Sequence, residues 1–107
     1  MTAIFSRTRF EGFHCWPGAP QAVAFLRQLH RHEFHVTAFK KVSHDDRDIE
    51  FILYKRRVDD AIVALNSTND TTNWSCERWA EMIGHEVDAD CVEVSEDGEN
   101  GARWMRD

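Results

Sequence analysis

Leu29-His30-Arg31-His32-Glu33-Phe34-His35-Val36 is the stretch on which the reading of this chain turns. Two histidines stand two residues apart at the head of apolar residues that suit a strand. Side chains alternate along a strand with a period of two. His30 and His32 therefore share a face, close enough to hold one metal ion together, and His35 points the other way. A third histidine, His14, ends another strand-like run, Arg9-Phe10-Glu11-Gly12-Phe13-His14. Alternation sets Phe10, Gly12 and His14 on one face and Glu11 and Phe13 on the other. Three imidazoles with one open position is the pattern of a catalytic zinc site, where a structural site would be closed.

The rest of the composition bounds the possibilities. At 107 residues one domain, 1–107, is expected. With 42% hydrophobic and 30% charged residues, a modest core and a soluble chain are expected; the mean hydropathy is -0.56. No run approaches the ~20 apolar residues of a membrane span, and Met1-Thr2-Ala3-Ile4-Phe5-Ser6-Arg7 lacks the apolar core of a signal peptide. A cytoplasmic protein without membrane partners is the default expectation. The formal charge of -6 argues against a nucleic-acid partner, which calls for a basic surface. Cys15, Cys76 and Cys91 are odd in number and lack CxxC spacing, so no disulfide framework is expected.

In chain order, residues 3–14 read as a first strand. Trp16-Pro17-Gly18-Ala19-Pro20 is a turn, and 21–29 a short helix with Val23, Phe25 and Leu26 facing inward. Residues 32–43 read as a second strand, antiparallel to the first. Asp48 is the expected cap of a helix over 49–65, with Phe51, Val58, Ile62 and Leu65 on its apolar face. After a polar loop, Ser75 is the expected N-cap of a helix over 76–87 with Cys76, Trp79, Ala80, Ile83 and Val87 inward. Residues 89–95 and 102–105 read as the third and fourth strands, joined through Asp97-Gly98-Glu99-Asn100-Gly101. The order is strand, strand, helix, helix, strand, strand.

These residues, in this order, resemble the 6-pyruvoyl-tetrahydropterin synthase and 6-carboxy-tetrahydropterin synthase family. Phe10-Glu11-Gly12-Phe13-His14 is similar to the family's Phe-x-Ala-Ala-His. Leu29-His30-Arg31-His32-x-Phe34 is similar to its His-Gly-His followed by an aromatic. Ile49-Glu50-Phe51-x-x-x-Lys55 resembles its first-helix motif, and Ser75-Cys76-Glu77 its Pro-Thr-x-Glu. Val92-x-Val94-Ser95-Glu96 resembles the strand end that anchors substrate. The resemblance covers roughly residues 8–106. It implies the α+β T-fold: a four-stranded antiparallel sheet in ββααββ order, two helices packed on one face, and subunits assembled into a β-barrel. It further implies zinc on His14, His30 and His32, with Glu96 anchoring a pterin- or purine-like ring and Ser75 and Glu77 contacting it. A homo-oligomer, trimer or hexamer, with sites between subunits also follows.

The chain departs from the family's pattern where protons move. The synthases carry a cysteine a few residues before the His-x-His pair; here the segment is Phe25-Leu26-Arg27-Gln28-Leu29. Their Asp-His pair after the first helix is replaced by Leu65-Asn66-Ser67-Thr68-Asn69-Asp70. Arg31 takes the place of the small residue between the two ligands, where it would fill space or bind an acidic group. Cys15, next to His14, is the candidate for a relocated catalytic base, although strand alternation would turn it from His14's face. Glu50 and Glu11 are the candidates for orienting the histidines. Two functions remain open: a zinc-dependent lyase on a pterin or deazapurine precursor with altered acid–base groups, or a non-catalytic protein that captures a purine-like nucleotide or metabolite. A structural oligomer with a vestigial site is the third.

Overall fold

The computed structural model describes all 107 residues. The strands are β1 (Ala3–His14), β2 (His30–Lys41), β3 (Cys91–Glu96) and β4 (Asn100–Met105). Helices α1 (Phe51–Thr68) and α2 (Cys76–Glu86) lie between β2 and β3. The sheet is antiparallel throughout, in the order β1-β2-β3-β4. The expected ββααββ order is observed, with one addition. The segment read as a helix over 21–29 is a 3₁₀ helix, Gln21–Arg27, broken at Val23 and without a buried residue. Phe25, expected to face inward, is 73% exposed.

All three registers pair even-numbered residues with even-numbered ones: His14 with His30, Phe34 with Glu96, Val92 with Trp104. One face of the whole sheet is thus made of even positions, and the helices cover it. Phe34, Val36, Ala38, Val92 and Val94 of this face join Tyr54, Val58, Ile62 and Leu65 of α1 and Trp79, Ala80 and Ile83 of α2 in one core. Burying a side chain of the size of Phe34 contributes about 1.5–3 kcal/mol, and that ring also stacks on Phe10 at 5.2 Å. The opposite face carries ion pairs instead, Arg31–Glu11 and Arg103–Glu93.

Helix ends differ in how well the sequence marks them. Ser75 caps α2 as expected, its Oγ accepting from the Arg78 N–H at 3.1 Å, and the expected apolar stripe of α2 is buried. The cap of α1 is Glu50, not Asp48. The Glu50 carboxylate accepts from the amides of Ile52 at 3.0 Å and Leu53 at 3.2 Å, where the positive end of the helix dipole favours it. Asp48 closes the preceding turn by accepting from the Ser43 amide and hydroxyl, both at 2.7 Å. Phe51, expected on the inner face, is exposed, and Tyr54 is the buried aromatic of that turn. No helix is long and apolar enough to cross a membrane.

Candidate metal centre

The even face of the sheet continues past the core to the ends of β1, β2 and β3, and there its residues change from apolar to imidazole. Phe10 and Phe34 are paired, then Gly12 and His32, then His14 and His30. Glu96, opposite Phe34 on β3, completes the group. The ring centroids of the three histidines lie 4.5 to 5.3 Å apart. One ligand atom from each of His14, His30, His32 and Glu96 falls within 4.8 Å of all the others, so this group could hold a metal ion.

Each imidazole is held by its Nδ1. His14 Nδ1 lies 2.8 Å from the Trp74 carbonyl, His30 Nδ1 2.8 Å from the Gln28 carbonyl, and His32 Nδ1 2.8 Å from Asp97 Oδ2. Carbonyls only accept, so Nδ1 of His14 and of His30 carries the proton and donates it. A neutral ring protonated on Nδ1 presents a bare lone pair at Nε2. All three Nε2 atoms are buried and lack a hydrogen-bond partner. This is the arrangement that ligating histidines adopt, with one nitrogen tied to an oriented acceptor and the other free for the ion. Buried polar atoms without partners are uncommon, and one shared cation would account for all three on this sheet face.

The orienting groups are not those expected. Glu50 is used as the α1 cap, and Glu11 pairs with Arg31 at 2.6 Å across the outer face, which also gives Arg31 its acidic partner. Asp97 takes the role instead. It stands with Gly98 in a tight turn between β3 and β4, with φ of 55° and 76° at the two positions, and the Glu99 amide donates to the Glu96 carbonyl across it at 3.0 Å. Positive φ at both central residues suits the hairpin twist and favours Asp-Gly. The turn sets Asp97 Oδ1 to accept from the Glu33 amide at 2.9 Å. Hydrogen bonds from His32 and from that amide hold the Asp97 carboxyl below the usual carboxylate range.

A cleft of about 460 Å³ opens beside His14, His30 and Glu96. His14, His30 and Glu96 reach it from the sheet; Ser75, Cys76 and Glu77 from the start of α2; Trp16 and Leu26 from the segment after β1; Asn100 and Gly101 from β4. Ser75 and Glu77 therefore sit at the cavity, although the Ser75 hydroxyl oxygen is engaged in capping α2. Cys15 also lines it, contrary to the alternation argument, because β1 ends at His14 and the chain turns there. The Cys15 thiol lies 3.5 Å from Asn73 Oδ1. Burial, with Glu96 and Glu77 nearby, pushes the neighbouring Cys76 thiol up to about 12. His35, His44 and His85 stand apart: His35 lies 3.0 Å from Glu33 Oε1, His44 3.6 Å from Asp48, and His85 packs on Trp104.

The Trp74 and Gln28 carbonyls, Asp97, Asn73 and Asn100 carry no sequence signal comparable to the histidine spacing. Only Asp97-Gly98, a hairpin dipeptide directly after Glu96, could have pointed to one of them. No family model and no curated protein matches this sequence.

Proposed function

We propose that the chain is a zinc protein of the tetrahydropterin-synthase type that holds zinc on His14, His30 and His32, takes a pterin- or purine-like ring in the cleft beside His14 and His30, and acts on it as a lyase. The observation that carries this reading is the set of three buried Nε2 atoms, each bare because Nδ1 is held from behind. Neutral imidazoles suit zinc among other divalent ions, and zinc when bound would polarise a carbonyl or activate water. The remaining work falls to the chain's own groups. Trp16 and Leu26 offer apolar surface to a flat ring, and Glu77 and Asn100 offer polar atoms to its edge. Cys15 is the proton-transfer candidate on the cleft wall. Cys76, with its pKa near 12, stays a neutral thiol at working pH and is a poor base. A homo-oligomer is supported by β1, twelve residues long and paired only on its β2 side; such an edge invites another strand.

A second reading, a non-catalytic binder of a purine-like metabolite, is favoured by one feature. The segment between α1 and α2 brings Asn73, Trp74 and Ser75 to the cleft and no histidine. Turnover of a dihydroneopterin triphosphate-type substrate separates the two readings. Metal content together with native mass, on wild type and His32→Ala, tests what they share. One zinc per chain in a trimer or hexamer, lost in the variant, is the expected result; a metal-free monomer overturns both.

A further inference from the structure

Glu96 does not stand off from the imidazoles as a group reserved for a substrate ring would. Its Oε2 lies 2.9 Å from His14 Nε2 and 3.6 Å from His32 Nε2. The shorter contact has the length of a hydrogen bond but not its geometry, and His14 Nε2 makes no hydrogen bond. With Nδ1–H given to the Trp74 carbonyl, a neutral His14 has no proton to offer the carboxylate. A lone pair and a carboxylate oxygen at that distance repel unless a cation lies between them. Zinc bonds of about 2.0–2.2 Å in a tetrahedron set neighbouring ligand atoms roughly 3.3–3.6 Å apart; the separation from His32 Nε2 meets that range, and the separation from His14 Nε2 would open by a few tenths of an ångström around an ion. Burial supports the same assignment, because a half-buried carboxylate beside three bare imidazole nitrogens completes a site of three neutral donors and one anion.

We propose that Glu96 is the fourth protein ligand of the resting ion, closing a position that three histidines alone leave open. This rests on the metal reading of His14, His30 and His32 and deepens it. The site is then self-capped, and whatever enters the cleft must move the carboxylate before it reaches the ion.

Cobalt is a suitable probe, since its visible spectrum reports coordination. Metal-free wild type, Glu96→Gln and His32→Ala would each be titrated with Co²⁺, and the loaded proteins then with azide as a small competing anion. The expected result has three parts. Wild type gives the intense absorption of a four-coordinate ion and is insensitive to azide. Glu96→Gln binds cobalt at least roughly tenfold more weakly, the lower end of what losing even an outer-shell partner costs. Its spectrum also shifts at azide concentrations that leave wild type unchanged. Equal affinity and equal azide response in wild type and Glu96→Gln would overturn the fourth-ligand assignment and leave the histidine site standing. No cobalt uptake by wild type would overturn the metal reading and the assignment with it, leaving a proton on His14 as the cation between the two groups. The azide titration of wild type needs no variant, so an unfolded Glu96→Gln chain does not spare the proposal: azide binding to wild type alone would sink it.

Discussion

Asp97 accepts from His32 Nδ1 at 2.8 Å and from the Glu33 amide at 2.9 Å, so one carboxylate fixes both an imidazole of the candidate metal centre and the strand that carries it. Removing it should loosen the ring without removing a ligand. Asp97→Ala is expected to weaken zinc binding by roughly 10–100-fold, the usual cost of losing an orienting partner. Asp97→Asn keeps a residue that tolerates positive φ and should retain more of both affinity and stability. Competition with a chromogenic chelator measures the affinities; equal values for wild type and Asp97→Ala would refute the orienting role.

Gly12 faces His32 across the β1–β2 ladder, and its lack of a side chain is what leaves room for the Phe34 ring. A Cβ there would come within 2.7 Å of that ring, which is almost fully buried and stacked on Phe10 and has no space to retreat. Gly12→Ala is therefore expected to cost about 1–3 kcal/mol, as overpacking typically does. Urea denaturation reads the cost, and an unchanged midpoint would show that the ring moves freely.

Gly84 in α2 plays the same part for Trp104 of β4, whose ring lies against the position a Cβ would take. Gly84→Ala should lower the thermal midpoint through that clash, even though alanine is the better helix former by about 0.8–1.0 kcal/mol. A raised midpoint would mean that propensity outweighs packing here.

Acid sensitivity should have an identifiable share from Asp88. The Lys40 ammonium, which hydrogen-bonds the carboxylate, and then Arg106 hold its pKa below 3.8. A carboxyl whose pKa is lowered by folding stabilises the fold above its unfolded pKa and loses that contribution as pH falls through the folded one. Stability should thus decline below about pH 4, near the unfolded aspartate value. Asp88→Asn keeps a residue suited to the φ of 52° at this position and should flatten that part of the decline. Denaturation midpoints from pH 7 to pH 2 give the two slopes, and identical slopes would exclude Asp88 as a source.

If the protein is a lyase, Cys15 and Cys76 should separate cleanly. Cys15→Ala is expected to lower turnover by roughly 10²–10⁴-fold, the range for losing a general acid or base, with zinc content unchanged. Cys76→Ala should leave the chemistry largely intact and reduce stability instead, since that thiol is buried at the start of α2. Full activity in Cys15→Ala would remove it from the mechanism.

The histidines were readable in the sequence because a strand converts spacing into direction: His30 and His32 had to share a face, and an antiparallel neighbour could bring His14 to it. The α2 cap was readable because serine before an apolar stripe is a local signal. The α1 cap was not, because Asp48 and Glu50 are both acids near the helix start, and the choice is made by Ser43 drawing Asp48 away. Phe51 and Tyr54 both fit a helical stripe with Val58, and only packing against the sheet selects Tyr54. The orienting groups were beyond reach for a related reason. Two of them are backbone carbonyls, which every residue has, and the third, Asp97, lies 65 residues from the ring it holds.

The registers carry a last implication, for how the site comes into being. His14, His30 and His32 all belong to the β1–β2 hairpin, whose pairing needs only short-range chain closure, whereas Glu96 and Asp97 arrive with β3 from far along the sequence. Short loops close at lower entropic cost and sooner than long ones. A nascent chain therefore brings the three histidines together before Glu96 and Asp97 are in place, and an ion taken up then would act as a template on which β3 docks.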